Sequence, residues 1–148
     1  MSHPATDCTA NLTAALTELA ALKGKIMGVY SAQELSDKVT MITLPAVGVV
    51  YEGIRNLGGS PGGNQIGVSN ELVVSLLILA EKPKAMMGVT TKETTLELLD
   101  EIRGAILGTR SPTGHFWKFV LEAPAADLNS QIVWMQRWST PVQVTKPL

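Results

Sequence analysis

The sequence predicts an α+β domain, a mixed and largely antiparallel four-stranded sheet packed with two main helices, in a subunit that associates with copies of itself. Three observations predict it. The 148 residues match the usual size of one domain, so residues 1–148 are read as a single unit. Two segments repeat apolar residues at helical spacing, while four others are dense in β-branched and apolar residues. One of those four strands is apolar on both faces, which a two-layer domain leaves half uncovered.

Residues 1–8 read as a loose N-terminal arm. Asn11 or Thr9 is a fitting cap for a first helix, because a short side-chain oxygen accepts an orphan N–H of the opening turn. Leu12, Leu16, Leu19, Leu22 and Ile26 then recur at spacings of four and three, one stripe of an amphipathic helix, with Gly24 as its stop. In the ambiguous stretch 27–43, Ser31 followed by Glu34 has the spacing of a capping box and opens a short turn of helix. Leu44–Ile54 (LPAVGVVYEGI) reads as a strand with Pro45 at its start, since proline has no N–H for a central ladder.

The segment 56–67 holds five glycines in twelve residues and reads as a mobile loop, too rich in backbone freedom to be repaid by packing. The strand Val68–Ala80 follows. Leu72, Val74, Leu76 and Ile78 share one face, and Val73, Leu77 and Leu79 share the other. With so few helices in the chain, the second face is expected to find its cover in another subunit.

Thr90 or Thr91 caps a second helix running to about Leu107, with Leu99, Ile102 and Ile106 as its core stripe and Gly108 as its stop. Glu93, Glu97 and Asp100 crowd its N-terminal half, where negative charge suits the helix dipole. After a turn-rich connector, Phe116–Ala123 alternates, with Trp117, Phe119 and Leu121 inward and Lys118 and Glu122 outward. Pro124–Ser130 turns the chain, and Ile132–Val142 makes the last strand with Trp134 and Trp138 on one face. Strand order is not legible.

Charge points away from several function classes. Twelve basic residues oppose 13 acidic ones, a net charge of -1, so bulk positive charge does not hold this chain to nucleic acid. Charged residues make up only 17% against about 25% in an average soluble domain, and mean hydropathy is +0.18. Uncharged surface on that scale marks contact surfaces, and self-association follows. The longest apolar run, Leu76–Ala80, falls far short of the ~20 residues of a spanning helix. The N-terminus has no basic region ahead of its apolar part and does not read as a signal peptide, so the chain is expected in the cytoplasm.

Candidate chemistry is thin. Gly58 and Gly63 have the spacing of a phosphate-binding loop, but Asn64 and Gln65 stand where lysine and a hydroxyl are required, and a strand follows in place of a helix. Cys8 is the single cysteine and, as a nucleophile, would require a paired base; only His3 and His115 are available. Two scattered histidines do not make a metal site, and adjacent Asp100 and Glu101 point about 100° apart on a helix. Trp117, Trp134 and Trp138 resemble a base-stacking platform, yet the nearby cations Lys118 and Arg137 fall on the opposite face, so the tryptophans read as core or interface. No catalytic residue, cofactor or metal is implied, and the chain does not read as an enzyme.

Taken together, the N-terminal helix, LPAVGVVYEGI, the Gly-rich loop, ELVVSLLILAEK, TTLELLDEIRGAIL and the aromatic strand IVWMQRWSTPV resemble the tail terminator proteins of long-tailed bacteriophages, in the lambda-like and Mu-like groups. The resemblance covers roughly Leu12 to Val142 and rests on architecture, so no individual functional residue is carried over. It implies a structural virion protein, assembled in the host cytoplasm, that forms a homohexameric ring on the tail tube. Such a ring stops tail polymerisation and joins the tail to the head-completion and neck proteins, and DNA passes through its lumen without being read. On this reading Val73, Leu77 and Leu79 lie at the subunit interface. The loop of Gly58, Gly59, Ser60, Gly62, Gly63, Asn64 and Gln65 contacts the tube or the neck. An alternative is another neck or minor tail component, a tail completion or head–tail adaptor protein. A small cytosolic enzyme is a third reading and would require a convergent polar pocket near the loop.

Overall fold

In a computed structural model, described over residues 3–38, 44–56, 70–81, 88–128 and 131–143, the chain begins directly as helix α1 (Pro4–Thr17). The expected N-terminal arm is therefore mostly helical. His3 is the cap, its Nδ1 accepting the Ala5 N–H at 2.9 Å, and Pro4 occupies the first turn, where its missing N–H costs nothing. Cys8, Leu12 and Leu16, four apart, are fully buried on one stripe. Thr9, Thr13 and Thr17 turn their hydroxyls back onto carbonyls four residues earlier.

The helix stops at Thr17, earlier than Gly24. A 3₁₀ turn over Ala20–Leu22 keeps Leu22 buried, and Gly24, at φ 75°, swings the chain into strand β1 (Ile26–Gly28). Ser31 and Glu34 do open a helix, α2 (Ala32–Lys38). Ser31 Oγ accepts the Glu34 N–H at 3.1 Å, and Glu34 Oε2 accepts the Tyr30 N–H at 2.7 Å. Strands β2 (Ala46–Asn56) and β3 (Asn70–Glu81), helix α3 (Gly88–Ile106), and strands β4 (Lys118–Leu128) and β5 (Gln131–Val142) complete the domain.

The architecture is α+β, with one more strand than the four expected and with α2, expected as a short turn, standing as a third helix beside the two main ones. A five-stranded mixed sheet runs in the order β1-β2-β3-β5-β4. β1 pairs parallel to β2, and every other neighbour is antiparallel. Three residues are too few for β1 to show a period, which is why it escapes a sequence pattern. Pro124 does not end β4 either. β4 is an edge strand, where a missing N–H is tolerated, and pairing continues to Leu128 through irregularities at Phe119/Leu121 and Pro124/Ala126.

Those irregularities re-aim the side chains. Phe119 pairs with Trp138 and Glu122 with Gln136, which places both on the helix side, while Leu121 pairs with Arg137 on the other. The expected inward Leu121 and outward Glu122 are thus exchanged by the extra residue at Val120.

α1 and α3 cover one sheet face. Leu12, Leu16, Leu99, Ile102 and Ile106 pack there on Leu72, Val74, Leu76, Ile78 and Trp138. α2 covers part of the other face, where Leu35 joins Val29, Ala46, Leu77, Leu79 and Val133 in a second, smaller core.

Candidate interaction surfaces

The second core revises the reason for placing Val73, Leu77 and Leu79 at a subunit contact. Within one chain Leu79 is 0% exposed, Val73 6% and Leu77 8%. Leu77 and Leu79 owe this to the chain's own α2, so a neighbouring copy is not needed to shelter them. Val73 lies further along the same face, opposite Gly53 and Ser139. The loop residues Gly58, Gly59, Ser60, Gly62, Gly63, Asn64 and Gln65 lie outside the described residues.

Beyond α2, towards Asn56 and Asn70, this sheet face carries a lattice of charge that the sequence reading missed. A register shift between Tyr51 and Gly53 makes Glu52 the extra residue of a bulge, with Gly53 at φ 112°. Glu52 Oε2 accepts from Ser75 Oγ at 2.6 Å and from Arg137 Nε at 2.7 Å, so one carboxylate ties β2, β3 and β5 together. Glu71 is held from both flanks, by Arg55 Nη2 of β2 at 3.3 Å and by Lys118 Nζ of β4 at 2.6 Å. The Lys118 ammonium reaches that far because its pairing partner Ser139 lies on the intervening β5.

The layering of this lattice has a sign. The Glu71 side chain is 4% exposed, whereas Arg55 is 47% and Lys118 58% exposed. Cations are outermost and the carboxylate lies beneath them. Burial by itself raises the Glu71 carboxyl, but its hydrogen-bonding neighbours, Lys118 foremost, together outweigh it and hold the carboxyl below its ordinary value. A signal for Glu52 was present in the sequence, since a glycine inside a strand pattern, as in Tyr51-Glu52-Gly53, marks a bulge.

A buried polar set also pins α3 from the helix side. Gln136, fully buried, donates to the Leu99 carbonyl at 3.0 Å and to Glu122 Oε1 at 2.8 Å. Arg103 pairs with both Glu122 and Asp100. The buried Gln136 amide is satisfied on both sides, its nitrogen by Leu99 and Glu122 and its oxygen by Trp138 Nε1 at 3.3 Å, so the set fixes the helix's seat.

The remaining sequence candidates take ordinary roles. Cys8 is buried, and its thiol is pushed up to about 11, chiefly by burial and then by Asp7. It is a protonated core side chain, far from a thiolate nucleophile. His3 caps α1 and stacks edge-on against Tyr51, while His115 is exposed and lends its carbonyl to the Ser111 N–H. Asp100 and Glu101 are exposed on α3, and Asp100 pairs with Arg103. Trp138 and Trp117 are buried on the helix side, with Trp117 Nε1 donating to Asn11 Oδ1 at 2.8 Å. Lys118 and Arg137 occupy the opposite face, so the sheet offers no stacking platform flanked by cations.

Among the described residues no group of three or more His, Cys, Asp or Glu side chains is placed to hold a metal. A groove of about 840 Å³ runs between α1 and the β1–α2 segment, with Thr9, Thr13, Gly28, Tyr30 and Tyr51 among its walls. The Thr9 and Thr13 hydroxyls are spent on their own helix, and the Glu34–Lys38 ion pair on α2 also lines the groove. Among the described residues no helix is long and apolar enough to cross a membrane. The sequence matches no protein-family model and no curated protein.

Proposed function

We propose that this chain is the ring subunit of a phage tail terminator, which caps the growing tail tube, ends its polymerisation and joins the tail to the neck. The observation that carries the reading is the half of the sheet's second face beyond α2. No described helix lies over it, and its side chains are tied into a charged lattice by Glu52 and Glu71. A surface pinned in that way, on a chain with only 17% charged residues, suits contact with another folded surface. The exposed Leu96, Leu107, Phe116 and Phe119 add apolar area on other elements.

The edge strands also favour contact through faces. β4 carries Pro124 and two irregularities along its free edge, and β1 is three residues long, so both edges are blunted against sheet extension. The Gly-rich segment of Gly58, Gly59, Ser60, Gly62, Gly63, Asn64 and Gln65 is the one assigned to the tube or neck, and DNA passes through the lumen as cargo.

Electron microscopy of the purified protein tests the reading directly. Annular particles of uniform diameter, found also at the head-proximal end of assembled tails, are the expected result. A protein that stays monomeric at micromolar concentration and is missing from tails refutes it.

A further inference from the structure

The lattice on the sheet has a complement on the opposite side of the same subunit. α3 presents Glu97, Asp100, Glu101 and Gly104 to solvent, with Leu107 54% exposed beside them. These positions follow from the helical period, since Leu99, Ile102 and Ile106 point the other way, into the core.

Gly104 is the informative residue. Glycine is among the poorest helix formers, and this one stands near the C-terminal end of a 19-residue helix. A Cβ built on it meets nothing within 4 Å, and its φ is not among the positive values. Nothing inside the described chain requires glycine there. A missing side chain on an outward helix face lets another surface approach the backbone closely.

We infer that neighbouring copies meet head to tail, the outward face of α3 in one copy seating on the lattice of Arg55, Lys118 and Arg137 in the next. Charge complementarity sets the pairing. Glu97 and Glu101 supply exposed carboxylates, and Lys118 and Arg55 stand outermost over the buried Glu71. Gly104 sets the closeness of approach and Leu107 supplies apolar contact. The two surfaces lie on opposite faces of one sheet, so the contact is heterologous and repeats from copy to copy, closing into a ring where the rotation allows. The inference rests on the ring reading and adds to it which surfaces meet.

The test compares the wild type with Gly104→Gln and with the pair Glu97→Lys and Glu101→Lys. Gly104→Gln improves helix propensity and has free space around it, so it folds, as its circular dichroism and melting temperature will verify. The expected result is a rise of about tenfold or more in the concentration needed for half-association in both variants. Zero-length carbodiimide cross-linking of mixed light and heavy isotope-labelled wild type then joins Glu97 or Glu101 of one copy to Lys118 of another. Rings that form equally well from Gly104→Gln, or intermolecular cross-links confined to other surfaces, overturn this contact and leave the ring reading standing. A wild type that never associates overturns both.

Discussion

Replacing Gly48 with alanine adds one methyl group at the most crowded point of the second core. Gly48 lies mid-strand between Met27 of β1 and Leu77 of β3. A Cβ there falls well inside the van der Waals radius of Val29 Cγ2 and lies 3.4 Å from both terminal methyls of Leu35. Val29 is 5% exposed, branched at Cβ and tied to Val49 by its own N–H at 3.2 Å, so it has little room to yield. Overpacking of this kind costs about 1–3 kcal/mol. Loss of glycine's backbone freedom in the unfolded chain returns roughly 0.5–1 kcal/mol. Mid-range values give a net destabilisation of about 1 kcal/mol, or ~2–4 °C in melting temperature for a chain of this size.

Urea unfolding measures this, and a double-mutant cycle locates its cause. Val29→Ala alone removes two buried methyl groups at a cost of about 1.5 kcal/mol. Combined with Gly48→Ala, the new methyl takes up the vacated space, so the pair costs less than the sum by about 1 kcal/mol or more. Additive single effects, or a Gly48→Ala protein as stable as the wild type, would refute the packing described for this core.

Three further outcomes follow from the same structure. Glu71 has its folded-state carboxyl held low, so its contribution to stability is present above the ordinary carboxylate range and is lost as pH falls through the lowered value. Glu71→Gln should flatten that acid limb in urea titrations run at descending pH; an unchanged limb removes Glu71 from the account. Cys8, raised to about 11 and buried, should resist a thiol reagent at pH 8 in the native protein and react at once in urea, and fast native labelling contradicts its burial. Leu77→Asp leaves an unpaired carboxylate beneath α2 and should cost about 4 kcal/mol or more, enough to abolish cooperative melting. A variant that melts cooperatively but fails to associate would return Leu77 to a subunit contact.

Strands with a long period were legible before any coordinates. β2, β3 and β5 and the core stripes of α1 and α3 carry their own periodicity, because burial on one side of a regular element selects apolar residues at its repeat. The capping box at Ser31 and Glu34 was legible for the same local reason. The lattice of Glu52, Arg55, Glu71, Lys118 and Arg137 was not. Its members come from four strands, and a bulge shifts Glu52 out of phase with its neighbours.

The division between sequence and tertiary structure is a division by distance along the chain. Residue order determines where the long helices and strands form, since those choices are made over a few residues by spacing, caps and turn chemistry. Short β1 and the continuation of β4 past Pro124 depend on their neighbours in the sheet. The sequence also established that β3 is apolar on both faces. Only the assembled sheet decided what covers Leu77 and Leu79, because α2 reaches them across a strand order that local periodicity cannot encode. The same holds for which cations stand above Glu71, since partners 16 and 47 residues apart are brought together by register and not by pattern.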